Sequence, residues 1–468
     1  MDDFLREIQT SLFREWINNQ KRDYYHLHQS ETDPDAIIIE NEYCYSYVTF
    51  NPQCIIELCV MNKRTDEMAF YLHFQFKTLK HAISLFEEMD QCIKKMIDQP
   101  ICRLLLCCSG GMTTAFFADK IKNGIKVLNL NMEVAATSYQ KIYNVAQNYD
   151  VILLAPQVSY VKLQVEKVFK NKLVLKIPTQ IFASYNVGAL ITFVEESLKH
   201  KENKYNGYVE PLASMMEIKT NKNVLAVSIN ANGENSHISY RLYNSHQDIV
   251  LDSNIIKSNI KLQDVLDALD TVVLQNEMID VISIALPGVM VEGNVYSGII
   301  EGGNHQLKER LEKRYEKEIY LINDVNAAVV GYYASQNEYK SLAFLFQPIG
   351  RMAGSGIVVN GQLVRGMDHL AGEVALLPLN LSDAYLTLAN TPEGTLELVT
   401  KNIMSIIAIV APEAIVVYSD LILDSQDVSD EIKKSLSQYS LKVYPKIIKV
   451  ENILEYILLG AMILSAKE

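Results

Sequence analysis

Between residues 101 and 200, short apolar runs alternate with amphipathic ones at a spacing that few folds accommodate. Residues 101–107 are apolar and lead through Ser109-Gly110-Gly111 into a helical pattern that runs through Lys122. A second apolar run, 151–155, precedes Pro156-Gln157 and an amphipathic stretch. A third, 173–177, precedes a helical pattern over 188–199. Strands alternating with helices in this way predict a parallel sheet, because each crossover must return along the sheet before the next strand starts.

The first of these strand-to-helix turns carries chemistry. Cys107-Cys108-Ser109-Gly110-Gly111-Met112-Thr113-Thr114 sits where a strand ends and a helix begins. Backbone amides at such a turn, with the helix dipole, favour an anion. The two glycines let the loop curl around a phosphoryl group without Cβ clashes. A cysteine placed there is a candidate nucleophile for capturing that group on sulfur. Hydrolysis of phosphoesters is disfavoured: position 114, six residues after Cys108, is Thr, and the turn has no Arg to clamp phosphate oxygens. Cys107, in phase with the strand interior, reads as a buried thiol.

The flanking regions differ in pattern. Residues 1–99 open with a helical pattern. In 70–77, Phe70, Leu72, Phe74 and Phe76 alternate with polar neighbours, as in a half-buried strand. Residues 62–66 read as a hairpin connection ahead of it. From Leu79 to Ile97 the period becomes helical, so the segment is expected to form a small α+β domain whose role the residues leave open. His26, His28, His73 and His81 fit no ligand spacing, and no metal site is expected. Residues 201–222 are polar and read as a linker. The region 223–468 again mixes strands, such as 224–229, 281–286 and 414–418, with helices such as 305–317 and 395–410.

Composition narrows the partners. The 468 residues carry 43 Lys+Arg and 56 Asp+Glu, a net −13 that repels phosphate backbones, so nucleic acid is not an expected partner. No apolar run reaches the roughly 20 residues that a spanning helix needs, and no export signal opens the chain. The odd count of seven cysteines then fits reduced thiols and a cytoplasmic location. All seven lie at or before Cys108, so a thiolate metal site in the last 360 residues is excluded.

The segment CCSGGMTTAFFADKIK, followed by YDVILLAPQVSY, resembles the enzyme IIB component of the lactose/cellobiose class of sugar phosphotransferase systems. That family carries Cys-Ser-x-Gly-Met-Ser/Thr-Thr on its first strand-to-helix turn and Asp-x-Ile-Leu-Leu-x-Pro-Gln later. The resemblance covers about residues 101–200 and implies that Cys108 accepts a phosphoryl group from a phosphohistidine donor protein. The turn residues Ser109, Gly110, Gly111, Met112, Thr113 and Thr114 would cradle it. The family's Tyr-Gly near the third strand is missing from IPTQIFASYN.

Further on, Asn323-Asp324-Val325-Asn326 follows an apolar strand. Asp324 there would suit a general base for a substrate hydroxyl, although Asn-Asp after a strand is also an ordinary turn or helix cap. Residues 350–357, GRMAGSGI, read as a glycine-rich turn between strands that passes close to a phosphate. With Leu286-Pro287-Gly288, Val359-Asn360-Gly361, Arg365-Gly366 and Gly372-Glu373, these segments resemble the ROK family of sugar kinases and sugar-responsive repressors. The resemblance covers roughly 223–468 and implies a two-lobed actin-like ATPase fold, with a homodimer as the expected assembly. It implies Asp324 as catalytic base, Asn304, Asn323, Asp324 and Glu373 as sugar contacts, and Gly354, Ser355 and Gly356 as nucleotide loop.

The departures bear on activity. Active members begin with Asp-x-Gly-Gly-Thr, which approaches ATP phosphates and magnesium; here the positions read Ser228-Ile229-Asn230-Ala231-Asn232. The family's Gly-His after Gly-Glu is replaced by Ala375-Leu376, and its cysteine-rich zinc motif is absent, so no zinc is expected. The chain is therefore expected to combine α/β folds: a small α+β N-terminal domain (1–99), a parallel-sheet enzyme-IIB-like domain (101–200), a linker (201–222) and a two-lobed ROK-like module (223–468). The expected role is sugar sensing or regulation tied to phosphotransferase proteins, with a sugar or sugar phosphate as ligand. A divergent sugar kinase using ATP and magnesium is the enzyme alternative, and a non-catalytic interaction scaffold the third.

Overall fold

The computed structural model describes residues 3–63, 68–98, 102–110, 112–127, 130, 132–169, 172–199, 220–232, 235–291, 294–296, 300–301, 306–367, 370–422, 424–437 and 444–466. The linker expected at 201–222 therefore lies almost wholly outside the described residues, as does the hairpin tip at 64–67. No helix among the described residues is long and apolar enough to cross a membrane.

The alternating segment folds as a parallel sheet of four strands, in the order Met132–Ser138, Cys102–Cys108, Val151–Leu154, Leu173–Lys176. Three of these follow the apolar runs. The Met132–Ser138 strand carries no such long run: it lies at the sheet edge, and of its residues only Val134 is buried, so Glu133, Thr137 and Ser138 interrupt its apolar residues. The helices Met112–Val127, Lys162–Val168 and Val187–Lys199 cover the sheet around a core that includes Leu104, Leu106, Ile152, Leu154 and Phe117.

The described residues of 3–98 form a helix (Asp3–Asn18), five antiparallel strands and a long helix (Leu79–Asp98). The alternation in Met68–Gln75 and the residue after it buries Phe70, Leu72, Phe74 and Phe76 against the helices. This meander does not end at its own edge. Its last strand pairs with Ile249–Lys257, placing Tyr71 opposite Ile256, and a single ten-stranded sheet continues through Asn235–Tyr243, Val224–Asn232, Val281–Leu286 and Glu318–Asn323. One continuous core joins Phe13, Phe74 and Phe86 to Val265, Leu269 and Ile282.

A five-stranded sheet runs in the order Gln362–Leu363, Gly354–Val359, Leu342–Phe346, Ala414–Tyr418, Lys446–Lys449. Between it and the ten-stranded sheet lie the helices Asp324–Ala334 and Leu454–Ala466, whose core takes Ala226 and Ala285 from one sheet and Phe344 and Val416 from the other. The two helices touch through glycine. A Cβ on Gly331 would stand 2.0 Å from the Tyr456 carbonyl oxygen, and one on Gly460 1.8 Å from that of Ala327.

Candidate functional site

Cys108 is the last residue of the Cys102–Cys108 strand, directly opposite the edge strand's Ser138 in register. Gly110 turns the chain with φ at +114°, and its backbone N–H donates to the Cys108 sulfur at 3.3 Å. Ser109 and Gly110 are exposed, and the helix that follows starts at Met112. The donor directed at the sulfur and the helix start beside it are the local features that favour an anion at this turn. Gly111 and the side chains of Met112, Thr113 and Thr114 lie outside the described residues. Cys107 is enclosed, and burial pushes its thiol up to about 12, with the neighbouring Cys108 adding to it. Both cysteines are buried and belong to the module's core, Cys107 at 0% and Cys108 at 4% exposure; what distinguishes Cys108 is its place at the strand end, against the turn.

Asn323 caps the Asp324–Ala334 helix, its Oδ1 accepting from the N–H groups of Val325 and Asn326 at 3.0 Å each. Its Nδ2 donates to the Gly288 carbonyl at 3.2 Å, so both ends of the amide are committed to the fold. Asp324 is buried, and its Oδ1 accepts from the Val325 N–H at 2.9 Å. Burial raises its carboxyl to about 6; hydrogen bonds from Val325 and its own backbone pull the other way, and the charge of Glu373 adds to the rise. Glu373 is half-buried, and burial raises it too. The two carboxyl groups thus lie within electrostatic range of each other. Asn304 lies outside the described residues.

Gly354-Ser355-Gly356 does not form the turn expected of it. These residues belong to the Gly354–Val359 strand, and the connection comprises 347–353 instead. The glycines are required by packing. A Cβ on Gly356 would stand 2.5 Å from the Val325 carbonyl oxygen and 2.7 Å from a Val329 methyl, because the Asp324–Ala334 helix lies directly on the strand. Ser355 is buried and donates its N–H to the Gly372 carbonyl at 3.0 Å. At Gly372, φ is +93° and a Cβ would meet the Ser355 oxygen at 1.9 Å, which fixes Gly immediately before Glu373.

Asp324 stands in the wall of a cavity of about 560 Å³. One side is the ten-stranded sheet, which offers Asn230, His237, Ser239 and Asn254. The five-stranded sheet and its loops offer Phe346, Arg351, Asn390, Tyr418 and Asp420. A third wall comes from the four-stranded module: Tyr143, Asn144, Gln147 and Asn148. That module docks here through Tyr139, whose hydroxyl donates to Glu393 Oε1 at 2.9 Å, and through Leu421, which is buried in the module's own core. Among the described residues no cluster of three His, Cys, Asp or Glu side chains is arranged to hold a metal.

Comparison with known proteins assigns relatives to two parts of the chain. Residues 233–395 match the ROK family model, and residues 103–192 match that of the PTS system, Lactose/Cellobiose specific IIB subunit. Solved structures to which the chain is similar include a ROK family protein from Streptococcus pneumoniae in complex with sucrose. It is 18% identical with a TM-score of 0.42, the match covering 52% of this chain and 97% of that one. A ROK hexokinase from Thermus thermophilus is 17% identical, with a TM-score of 0.43 and coverage of 52% and 99%. The lactose-specific IIB component domain from Streptococcus pneumoniae is 23% identical, with a TM-score of 0.19 and coverage of 20% and 95%. No curated protein matches. The chain thus carries a phosphotransferase-IIB-like part and a ROK-like part, a composition that fits a protein linked to the sugar phosphotransferase system.

Proposed function

We propose that the chain regulates sugar use by accepting a phosphoryl group on Cys108 from a phosphohistidine protein, while its ROK-like part binds a sugar or sugar phosphate without ATP-dependent transfer. The observation that carries this reading is the contrast between the two candidate phosphoryl sites. At Cys108 the strand end, the exposed Ser109-Gly110 turn, the backbone donor to sulfur and the helix start coincide. At Ser228-Ile229-Asn230 there is no carboxylate to hold a metal, and Asn230 occupies the cavity wall.

A protein donor suits this end of the sheet, where the strands meet their following helices. Phe116, within two turns of the start of the helix after Cys108, is 53% exposed, and Tyr160, after the neighbouring strand, is 74% exposed. The test is mass spectrometry of the full chain after incubation with phosphoenolpyruvate and the upstream phosphotransfer proteins. A phosphoryl adduct on Cys108, lost in Cys108→Ser and kept in Cys107→Ser, is expected. An unmodified Cys108 in the presence of a competent donor overturns the proposal.

The kinase reading has one observation of its own: a buried Asp324 raised to about 6 beside Glu373 is poised as a general base. ATP and magnesium would then be required. Sugar-dependent ATP turnover that Asp324→Asn abolishes is the result that would favour it. An interaction scaffold, the third reading, would show neither Cys108 modification nor turnover.

A further inference from the structure

We infer that the seating of the IIB-like module on the ROK-like part is a latch set by Cys108: the free thiol leaves it closed, and a phosphoryl group on the sulfur loosens it. The signal rests on the phosphotransfer reading above, whereas the seating is present in the unmodified chain. Leu421, just past the end of the Ala414–Tyr418 strand, is 2% exposed because it inserts into the core of the four-stranded module. Ile349 packs against that core as well. At the rim, the Tyr139 hydroxyl donates to Glu393 Oε1 at 2.9 Å. Tyr139 is braced from inside the module, its ring edge-on to Tyr143 at 6.2 Å, and Tyr143 stacks on Phe169 at 5.8 Å. Apolar pegs with a polar rim form the kind of contact across which domains move relative to each other.

The latch lies next to the acceptor strand. Ser138 is directly opposite Cys108 in the parallel ladder, and Tyr139 follows Ser138. Strands lie about 4.8 Å apart and consecutive Cα atoms about 3.8 Å, so a group on Cys108 stands on the order of 10 Å from the rim, comparable with a Debye length. Phosphorylation breaks the N–P bond of a donor imidazole, forms an S–P bond, and leaves the thiol proton with the freed imidazole. The product carries about −1.5 to −2 charges. The facing side of the ROK-like part presents Glu393 and Asp420 against a single guanidinium, Arg351. The added charge therefore repels more than it attracts. Release withdraws Tyr143, Asn144, Gln147 and Asn148 from the cavity wall, so the state of Cys108 is converted into access to Asp324.

Hydrogen exchange with mass spectrometry on the full chain tests this, before and after incubation with phosphoenolpyruvate and the upstream phosphotransfer proteins. The amides to follow are those of Gly350 and Gly394, which donate to the Ala389 carbonyl and to Thr391 Oγ1 beside the docking face. Phosphorylation is expected to speed their exchange by about five- to tenfold, the effect of one to two like charges at this range. The Val151–Leu154 amides should stay protected, which shows that the module is still folded. Glu393→Gln keeps an acceptor for Tyr139 and removes the charge, so it should shrink the response. Leu421→Ala should speed the same two amides with Cys108 unmodified. A phosphorylated Cys108 with both amides unchanged, slower exchange through attraction to Arg351, or no effect of Leu421→Ala overturns the latch. A Cys108 that takes no phosphoryl group overturns the phosphotransfer reading and the signal with it, while faster exchange in Leu421→Ala still supports the seating.

Discussion

At the scale of single residues, Asp324 is where the chain gives up stability. Its carboxyl is raised from 3.8 to about 6, so the folded state prefers the protonated acid. Burial of the charged form is therefore a cost that is absent well below pH 4, grows as pH rises from 4 to 6, and is constant above that. A rise of roughly two pH decades at about 1.4 kcal/mol each is on the order of 2–3 kcal/mol. Asp324→Asn keeps the acceptor for the Val325 N–H and removes the charge. We expect it to raise Tm at pH 7 and to lose that advantage as pH falls toward 4. A Tm difference of the same size at both pH values would refute this account. A residue that costs stability and lines a cavity is a candidate for function, whereas Asn323 beside it is committed at both ends to capping and to Gly288. Sequence reading found both residues at once, because a strand followed by Asn-Asp is a visible pattern. It could not divide their roles, which depend on Gly288 and Glu373, 35 and 49 positions away.

At the scale of elements, a buried ion pair and a close helix contact add to the shared core in tying the last helix to the ten-stranded sheet and to the Asp324–Ala334 helix. Arg241, on a strand of the ten-stranded sheet, reaches Glu455 of the last helix in a bidentate pair at 2.8 and 3.0 Å, both side chains being nearly enclosed, and also reaches Asp252 at 2.8 Å. Removing Glu455 leaves the enclosed Arg241 with only the half-exposed Asp252 as partner, so Glu455→Leu alone should cost about 3 kcal/mol, the low end for breaking a buried pair, in chemical denaturation. Arg241→Met with Glu455→Leu should recover most of it. Additive losses in the double variant would refute the pairing. Gly460→Ala places a methyl against the Ala327 carbonyl and should cost about 1–3 kcal/mol by forcing the helices apart. The same packing explains why the glycines at 354 and 356 stand in a strand and not in the expected turn. In sequence, a glycine demanded by a helix lying on a strand looks the same as one demanded by a phosphate. Apolar strands were legible for the opposite reason: burial on both faces leaves a continuous run. The Met132–Ser138 strand escaped because an edge needs no such run.

At the scale of the whole molecule, the N-terminal 98 residues are tied to the ROK-like part by more than sheet pairing. Lys257, 4% exposed, bridges Asp264 and Glu88 at 2.6 Å each, and Lys77 bridges Asp267 and Asp270 at 2.6 and 2.5 Å. Glu88 and Lys77 belong to the N-terminal segment; the others lie near residue 260. The pattern within 1–99 announced helix, strands and helix. It could not announce that the last strand finds its partner some 180 residues later, since nothing in an antiparallel register marks which edge it will join. The four-stranded module has its own core and touches the rest through few side chains, Tyr139 and Leu421 among them. Cooperative unfolding follows shared core, so the chain order of the segments should not be the order in which they melt. We expect two transitions in calorimetry. In one, residues 102–199 unfold alone; in the other, 3–98 unfold together with 220–466, whose sheets share one core. Hydrogen exchange should show the Met68–Gln75 and Ile249–Lys257 strands opening with the same free energy. A chain beginning at residue 220 should then bare the faces of Val265, Leu269 and Val272 that the N-terminal segment covers, and aggregate unless residues 1–98 are supplied. A soluble, monodisperse 220–468 fragment with an unchanged Tm would show that the shared sheet contributes nothing to stability.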